Sequence, residues 1–288
     1  MRTPSGALPQ VVSKTSPGGP AAALETARGT LPRMEKPRGG LAEVALEAGS
    51  AIVGDLHLDV GAGAARPERF EAWLAGLRDV PRLMILGDLF DAWIGPAQAE
   101  LPAARSALGA LRGLASRGTA IDVVPGNRDF LLEEGFERAS GATVRPGGLV
   151  GVLEGGARVL LIHGDELCTL DRGYQRLRRV LRSAPVRWSA PRVPRPAALW
   201  VARRLRRAST QALAVKLSAE TEQQVEAVRE LARFHGASTL ICGHAHRFRD
   251  ETLAGGPRWI VVGAFGGPRD LLRVAPGGAI EARESGAA

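Results

Sequence analysis

RLMILGD, residues 82–88, reads as a buried strand that runs straight into a glycine and an aspartate, and the surrounding pattern decides the fold. Four other short apolar runs end in the same manner. Ala51 to Gly54 runs into DLH (55–57), Thr119 to Val124 into PGN (125–127), Arg158 to Ile162 into HGD (163–165), and Ser238 to Cys242 into GHAH (243–246). Amphipathic stretches separate them. Pro67 to Arg78 places Phe70, Trp73, Leu74 and Leu77 on one helical face, and Ala103 to Arg117 and Ala219 to His235 also read as helices. Further strands are expected at Val150 to Leu153, near Arg258 to Val262, and at Leu271 to Val274. Strands alternating with helices predict an α/β protein with helices outside the sheet.

The chain of 288 residues is long enough for one large domain or two small ones. At 45% hydrophobic and 24% charged, its composition is that of a soluble globular protein. The two cysteines, Cys168 and Cys242, lie far apart among apolar neighbours, which argues against a disulfide scaffold and against a thiolate zinc site. Residues 1–44 hold six Pro, six Gly and no aromatic residue, and are expected to be a disordered extension. They contain no apolar core of a secretory signal, and no later run approaches a membrane span, so a cytoplasmic protein is expected.

The formal charge of +8 is unevenly distributed. Residues 172–207 carry twelve arginines and no acid, leaving 26 basic against 30 acidic residues in the rest of the chain. A faintly acidic body with one basic segment points to an anionic partner at that place.

The strand ends carry the chemistry. In open α/β sheets a ligand lies beyond the carboxyl ends of the strands, so Asp55, His57, Asp88, Asn127, His163, His244 and His246 should converge. Four of the five histidines of the chain are among them. Asp55 and His57, one residue apart, point the same way from an extended segment, as do His244 and His246. Imidazole, carboxylate and amide donors without thiolate suit Mn, Fe or Zn. Seven donors exceed the needs of one ion, whereas two ions about 3.5 to 4 Å apart and sharing Asp88 would use them all. Any one of these motifs alone is usually a cap or a turn, and it is their joint occurrence after strands that carries weight.

DLH, GDLFDAW, GNRDF, HGD and GHAH, spread over residues 51–265, together resemble the calcineurin-like metallophosphoesterase superfamily. Within it, GDLFDAWIG, GNRDFL, HGDELCT and the region of Tyr174 resemble the UDP-2,3-diacylglucosamine diphosphatases of lipid A biosynthesis. The resemblance implies a four-layer α/β/β/α sandwich whose core spans 48–170 and 217–284, with an arginine-rich helical cap at 171–216. It implies one metal on Asp55, His57, Asp88 and His246 and a second on Asp88, Asn127, His163 and His244. The implied reaction is Mn-dependent attack of hydroxide on the α-phosphorus, giving UMP and 2,3-diacylglucosamine 1-phosphate, with Asp88, Asn127, Arg128 and His244 catalytic. Substrate contacts carried over from the family fall on Asn127, Arg128, Asp171, Tyr174, Arg206, Ser209, Lys216 and His244.

Arg128 selects among substrates by its own chemistry. Many metallophosphoesterases have a histidine there that protonates a leaving alkoxide, and arginine, which keeps its proton near neutral pH, cannot. It can hold phosphate oxygens and stabilise developing charge. Loss of the acid matters little when the leaving group is itself a phosphate, so Arg128 favours a diphosphate over an alkyl monoester. The basic segment runs from Asp171 and Tyr174 through a helix of Arg176, Arg178, Arg179 and Arg182, past a turn interrupted by Pro185, Pro191, Pro194 and Pro196, to a second helix with Trp200, Val201 and Leu205 on one side. Arginine mixed with apolar side chains suits an anionic membrane surface, at roughly 1 kcal/mol per basic residue. A peripheral place on the cytoplasmic face of the inner membrane is therefore expected, with a lipid diphosphate as substrate. A nuclease that grips a nucleic-acid backbone is a second reading, disfavoured because the cap has no platform of aromatics for stacking bases. A non-catalytic scaffold of the same fold is a third, and it predicts eroded ligands where all seven stand.

Overall fold

The computed structural model describes residues 40–61, 64, 67–93, 95–194, 196–197, 200–201, 204 and 222–286. The strands are β1 Ala42–Leu46, β2 Ala51–Val53, β3 Arg82–Ile85, β4 Ala120–Val123, β5 Thr143–Val144, β6 Leu149–Leu153, β7 Arg158–Leu161, β8 Thr239–Cys242, β9 Arg249–Thr252, β10 Arg258–Val261, β11 Leu271–Val274 and β12 Ile280–Arg283. The helices are α1 Glu68–Gly76, α2 Pro102–Ser116, α3 Glu134–Ser140, α4 Arg172–Leu181, α5 Ala184–Ser189 and α6 Val225–Phe234. They build two six-stranded sheets, ordered β12-β11-β2-β3-β4-β5 and β1-β6-β7-β8-β10-β9. β2, β3, β4 and β5 run parallel in the first, and β7, β8 and β10 in the second.

Side-chain alternation along the central strands separates two cores. Ile52 of β2 and Met84 of β3 pack with Leu161, Ile241 and Ile260 of the opposite sheet, while Ala51, Val53, Leu83 and Ile85 turn the other way onto the helices. A strand's side chains point alternately to its two faces, so one short apolar run serves both layers. The outer core takes Phe70 and Leu74 of α1, Leu108 and Leu111 of α2, and Phe136 of α3. In α2 the buried Ala104, Ala107, Leu108, Leu111 and Leu114 recur at helical spacing, which fixes the face it turns to the sheet. On the far side, Ala227, Val228 and Ala232 of α6 are buried. The expected four-layer α/β/β/α order is thus present.

Several boundaries differ from expectation. Residues 42–44, assigned above to the extension, belong to β1, which pairs in parallel with β6 from Ala42 opposite Leu149 to Leu46 opposite Leu153. As an edge strand β1 buries only alternate residues, so it shows no long apolar run. Residues 1–39 of the extension lie outside the described residues. Pro185, expected in a turn, instead opens α5, where a first-turn proline loses no hydrogen bond. α6 begins at Val225, after the non-helical Glu222–Gln224.

Candidate active site

The loops that follow β2, β3 and β4 of one sheet and β7 and β8 of the other meet at one place. Leu86, which continues β3, bonds back to Val53 of β2, and the next turn sends the Asp55 N–H to the Gly87 carbonyl and the His57 N–H to the Asp88 carbonyl. Across the sheets, the Gly243 N–H bonds to the His163 carbonyl. Asp55, His57, Asp88, His244 and His246 all adopt positive φ, between 49° and 71°, a region that non-glycine residues seldom occupy. Such strain persists only where the surroundings enforce it, and here it falls on five of the seven predicted donors. Two glycines allow the close approach. A Cβ on Gly87 would lie 2.5 Å from His163 Nδ1, and one on Gly126 would lie 2.2 Å from Asp88 Oδ1.

The seven donors do converge. His57 Nε2 is 2.9 Å from His246 Nε2, and His246 Nε2 is 3.6 Å from Asp55 Oδ1. His163 Nε2 is 3.0 Å from Asn127 Oδ1 and 3.2 Å from His244 Nδ1. Asp88 stands between the two groups, with Oδ2 3.9 Å from His57 Nε2 and Oδ1 3.7 Å from His163 Nε2. Ligand atoms of Asp55, His57 and His246, and again of Asp55, Asp88 and His163, lie within 4.8 Å of one another.

The chemistry of this donor set fits divalent cations. Asp55 Oδ2 accepts the His244 N–H at 2.7 Å, while the buried Oδ1 accepts no hydrogen bond. A buried carboxylate oxygen left so is costly unless a cation answers it. His163 Nδ1 donates to the Leu86 carbonyl at 2.8 Å, which aims Nε2 at the Asn127 oxygen. Fixing one ring nitrogen on a backbone carbonyl is how a ligand histidine is oriented. Burial raises Asp55 and Asp88 to about 6. Burial alone would lower His163, but Asp88, Asp165 and Asp55 surround it and raise it to about 9. Burial, with His163 beside it, drives His244 down to about 3. Imidazole and carboxylate groups crowded together, with their protonation displaced by burial and by one another, fit a cation site.

Arg128 lies at the same place. Its backbone N–H donates to Asp88 Oδ1 at 3.0 Å, and its guanidinium sits 3.6 Å from Asp88 and 3.9 Å from Asp91. Asp171 caps α4, accepting the Tyr174 N–H at 2.9 Å, and the Tyr174 hydroxyl donates to Asp165 at 2.5 Å. Arg206, Ser209 and Lys216 lie outside the described residues, as does most of the second cap helix.

Three supporting carboxylates escaped the sequence reading. Asp129 accepts the Gly126, Leu89 and Phe90 N–H groups, tying the loop of Asp88 to that of Asn127. Asp91 stands 3.6 Å from His57 Nδ1. Asp165 takes Tyr174, Arg178 and Arg182, and these guanidiniums outweigh burial and hold its carboxyl well below the usual range. Each is quoted within a motif, yet only its partners show that it orients donors.

A two-sheet sandwich with this donor set at its strand ends defines a metallophosphoesterase. The calcineurin-like phosphoesterase family model matches residues 50–248, and the chain belongs to that family. More particularly, it is 41% identical over 212 residues to a UDP-2,3-diacylglucosamine hydrolase of Pseudomonas putida, covering 68% of this chain and 81% of that protein. It is also 41% identical over 209 residues to one of Pseudomonas aeruginosa, covering 70% and 83%, and 40% identical over 216 residues to one of Shewanella piezotolerans, covering 74% and 88%.

Proposed function

We propose that the chain hydrolyses the diphosphate of UDP-2,3-diacylglucosamine to UMP and 2,3-diacylglucosamine 1-phosphate. The observation that carries this reading is Arg128 beside Asp88 and Asp91, within a complete set of seven donors. Bound divalent ions, Mn in our reading, supply a nucleophilic hydroxide and neutralise phosphate charge. Asp55, His57, Asp88 and His246 would hold one ion and Asp88, Asn127, His163 and His244 the other. The hydroxide oxygen joins the α-phosphorus, the bond to the bridging oxygen breaks, and the electron pair leaves with the lipid 1-phosphate, the proton released in forming hydroxide having passed to solvent. Arg128, with Asn127 and His244, steadies the phosphate oxygens through that step and has no proton to give. No side chain is called on as nucleophile, so no covalent intermediate forms.

The cap holds the lipid. Asp171 and Tyr174 at the start of α4, with Arg206, Ser209 and Lys216, are our candidates for the sugar phosphate. α4 is inverted relative to an ordinary amphipathic helix. Leu177 and Val180 are 45% and 59% exposed, whereas Arg178 and Arg182 turn inward to Asp165. Two arginines of the basic segment are thus engaged within the protein, not at its surface. Arg172, Arg176 and Arg179 remain exposed beside those apolar side chains, with Trp188 and Trp200 further on. Among the described residues no helix is long and apolar enough to cross a membrane. We assign this face to peripheral docking on the cytoplasmic side of the inner membrane. Mass spectrometry after incubation with Mn and UDP-2,3-diacylglucosamine should show UMP, and its absence would overturn the substrate assignment. Leu177→Asp with Val180→Asp should lower partition onto anionic vesicles.

A further inference from the structure

We propose that Phe265, Trp73 and Arg69 form the shelf that takes the nucleoside half of the substrate, an inference that rests on the diphosphate reading above. After β10 the chain turns back across the donors. The Ala264 N–H donates to the His246 carbonyl and the Phe265 N–H to the Asp55 carbonyl, each at 3.4 Å. Phe265 is thus bonded through its backbone to one predicted metal ligand and adjoins the contact to another. Its ring meets Trp73 edge-on at 5.2 Å and the buried Phe70 at 6.2 Å. Phe265 and Trp73 are half-buried, so both retain accessible ring surface. The exposed Arg69 donates to the Gly266 carbonyl at 3.4 Å and holds its guanidinium 5.7 Å from the Phe265 ring.

The placement gives the site a direction. Asp55, His57 and His246 adjoin this shelf, whereas Asn127 and His163 adjoin α4, because Arg182 reaches the Gly126 carbonyl at 3.1 Å and Asp165 at 3.3 Å. A diphosphate lying across the donors sends one substituent to each side. Leu177 and Val180, two exposed aliphatic residues, are on α4, the side suited to acyl chains. The other side offers aromatic faces and a guanidinium, which suit a base and its phosphate, since any base can stack on an aromatic ring.

The test is calorimetry on the Mn-loaded full chain, with UMP and inorganic phosphate as probes. Phe265→Leu keeps an apolar side chain against Phe70, and should weaken UMP about tenfold, within the range for loss of one stacking ring, with phosphate affinity unchanged. Arg69→Gln should also weaken UMP, and UMP should quench less tryptophan fluorescence in Trp73→Phe than in the unaltered chain. Equal losses for UMP and phosphate, or no loss for either in both Phe265→Leu and Arg69→Gln, would overturn the shelf. The two readings fail separately. UMP affinity that depends on Phe265 in a chain that releases no UMP from the lipid sinks the substrate assignment alone. UMP release with UMP affinity indifferent to Phe265 and Arg69 sinks the shelf alone.

Discussion

Arg182 Nη2 donates to the Gly126 carbonyl at 3.1 Å, and the same nitrogen lies 3.3 Å from Asp165 Oδ2. One guanidinium thereby fastens α4 to the residue before Asn127 and to the loop two residues beyond His163. The cap and the donors of one side of the site are held in a single polar joint, and no apolar contact would fix them in this way. α4 buries none of its residues, so its position rests on such bonds.

Arg182→Met should therefore act on metal binding and not only on lipid binding. Loss of a group that orients ligands costs about 10- to 100-fold in metal affinity or activity. Arg182→Lys should recover part of the loss, because its ammonium still answers Asp165, but from a shorter side chain and without the planar guanidinium that packs between the two loops. Titration of the metal-free chain with Mn, followed by calorimetry, reads this directly. Unchanged Mn affinity in Arg182→Met would show that the joint serves the cap alone.

Gly87→Ala should abolish tight metal binding in a chain that still folds. Gly87 has φ +84°, and an added Cβ would meet His163 Nδ1 at 2.5 Å and Gly126 Cα at 2.8 Å. That nitrogen is the one donating to Leu86, so the methyl group displaces the imidazole from its orienting bond. The left-handed backbone adds about 1–2 kcal/mol. Circular dichroism should show an intact fold, and Mn titration a loss of affinity at least as large as that of Arg182→Met.

The donors were legible in the sequence because the fold repeats one local rule, a buried strand followed by a polar turn. Asp55, Asp88 and His163 each stand within three residues of their strand's end. What supports them was not legible, because it depends on partners distant in the chain. Asp165 is one more acid in a motif until Arg178 and Arg182 fold onto it, and nothing in a run of arginines says which of them turn inward. β1 escaped for a different reason, since an edge strand buries one face only and leaves a pattern too short to stand out.

Arg128→Ala should lower kcat on the lipid diphosphate by about 10²- to 10³-fold, the scale for loss of one group that stabilises transition-state charge. Arg128→Lys should be intermediate, since it keeps the charge but not the bidentate geometry. The unaltered chain should turn over a simple alkyl phosphate more slowly than the lipid diphosphate, having no acid for an alkoxide. Steady-state kinetics on the two substrates decides it, and faster alkyl phosphate hydrolysis would count against Arg128 as the determinant of the leaving group.

Metal binding and proton binding should compete at this site. The folded, metal-free chain holds Asp55 and Asp88 at about 6, above an ordinary carboxyl value of 3.8. It therefore binds more protons than the unfolded chain between those values, and these two groups lower its stability as pH rises through that window. His163, raised from 6.5 to about 9, contributes stability that is fully present below 6.5 and lost as pH rises through 9. Cations need the deprotonated forms of all three, so Mn affinity must move the other way, rising through about 6 and again toward 9. The rise in melting temperature on adding Mn should accordingly grow steadily between those two values. Between them, binding should also release the His163 proton, so the calorimetric enthalpy should differ between buffers of unlike ionisation heat. An Mn-induced shift independent of pH would mean that these three side chains are not the ones that yield to the metal.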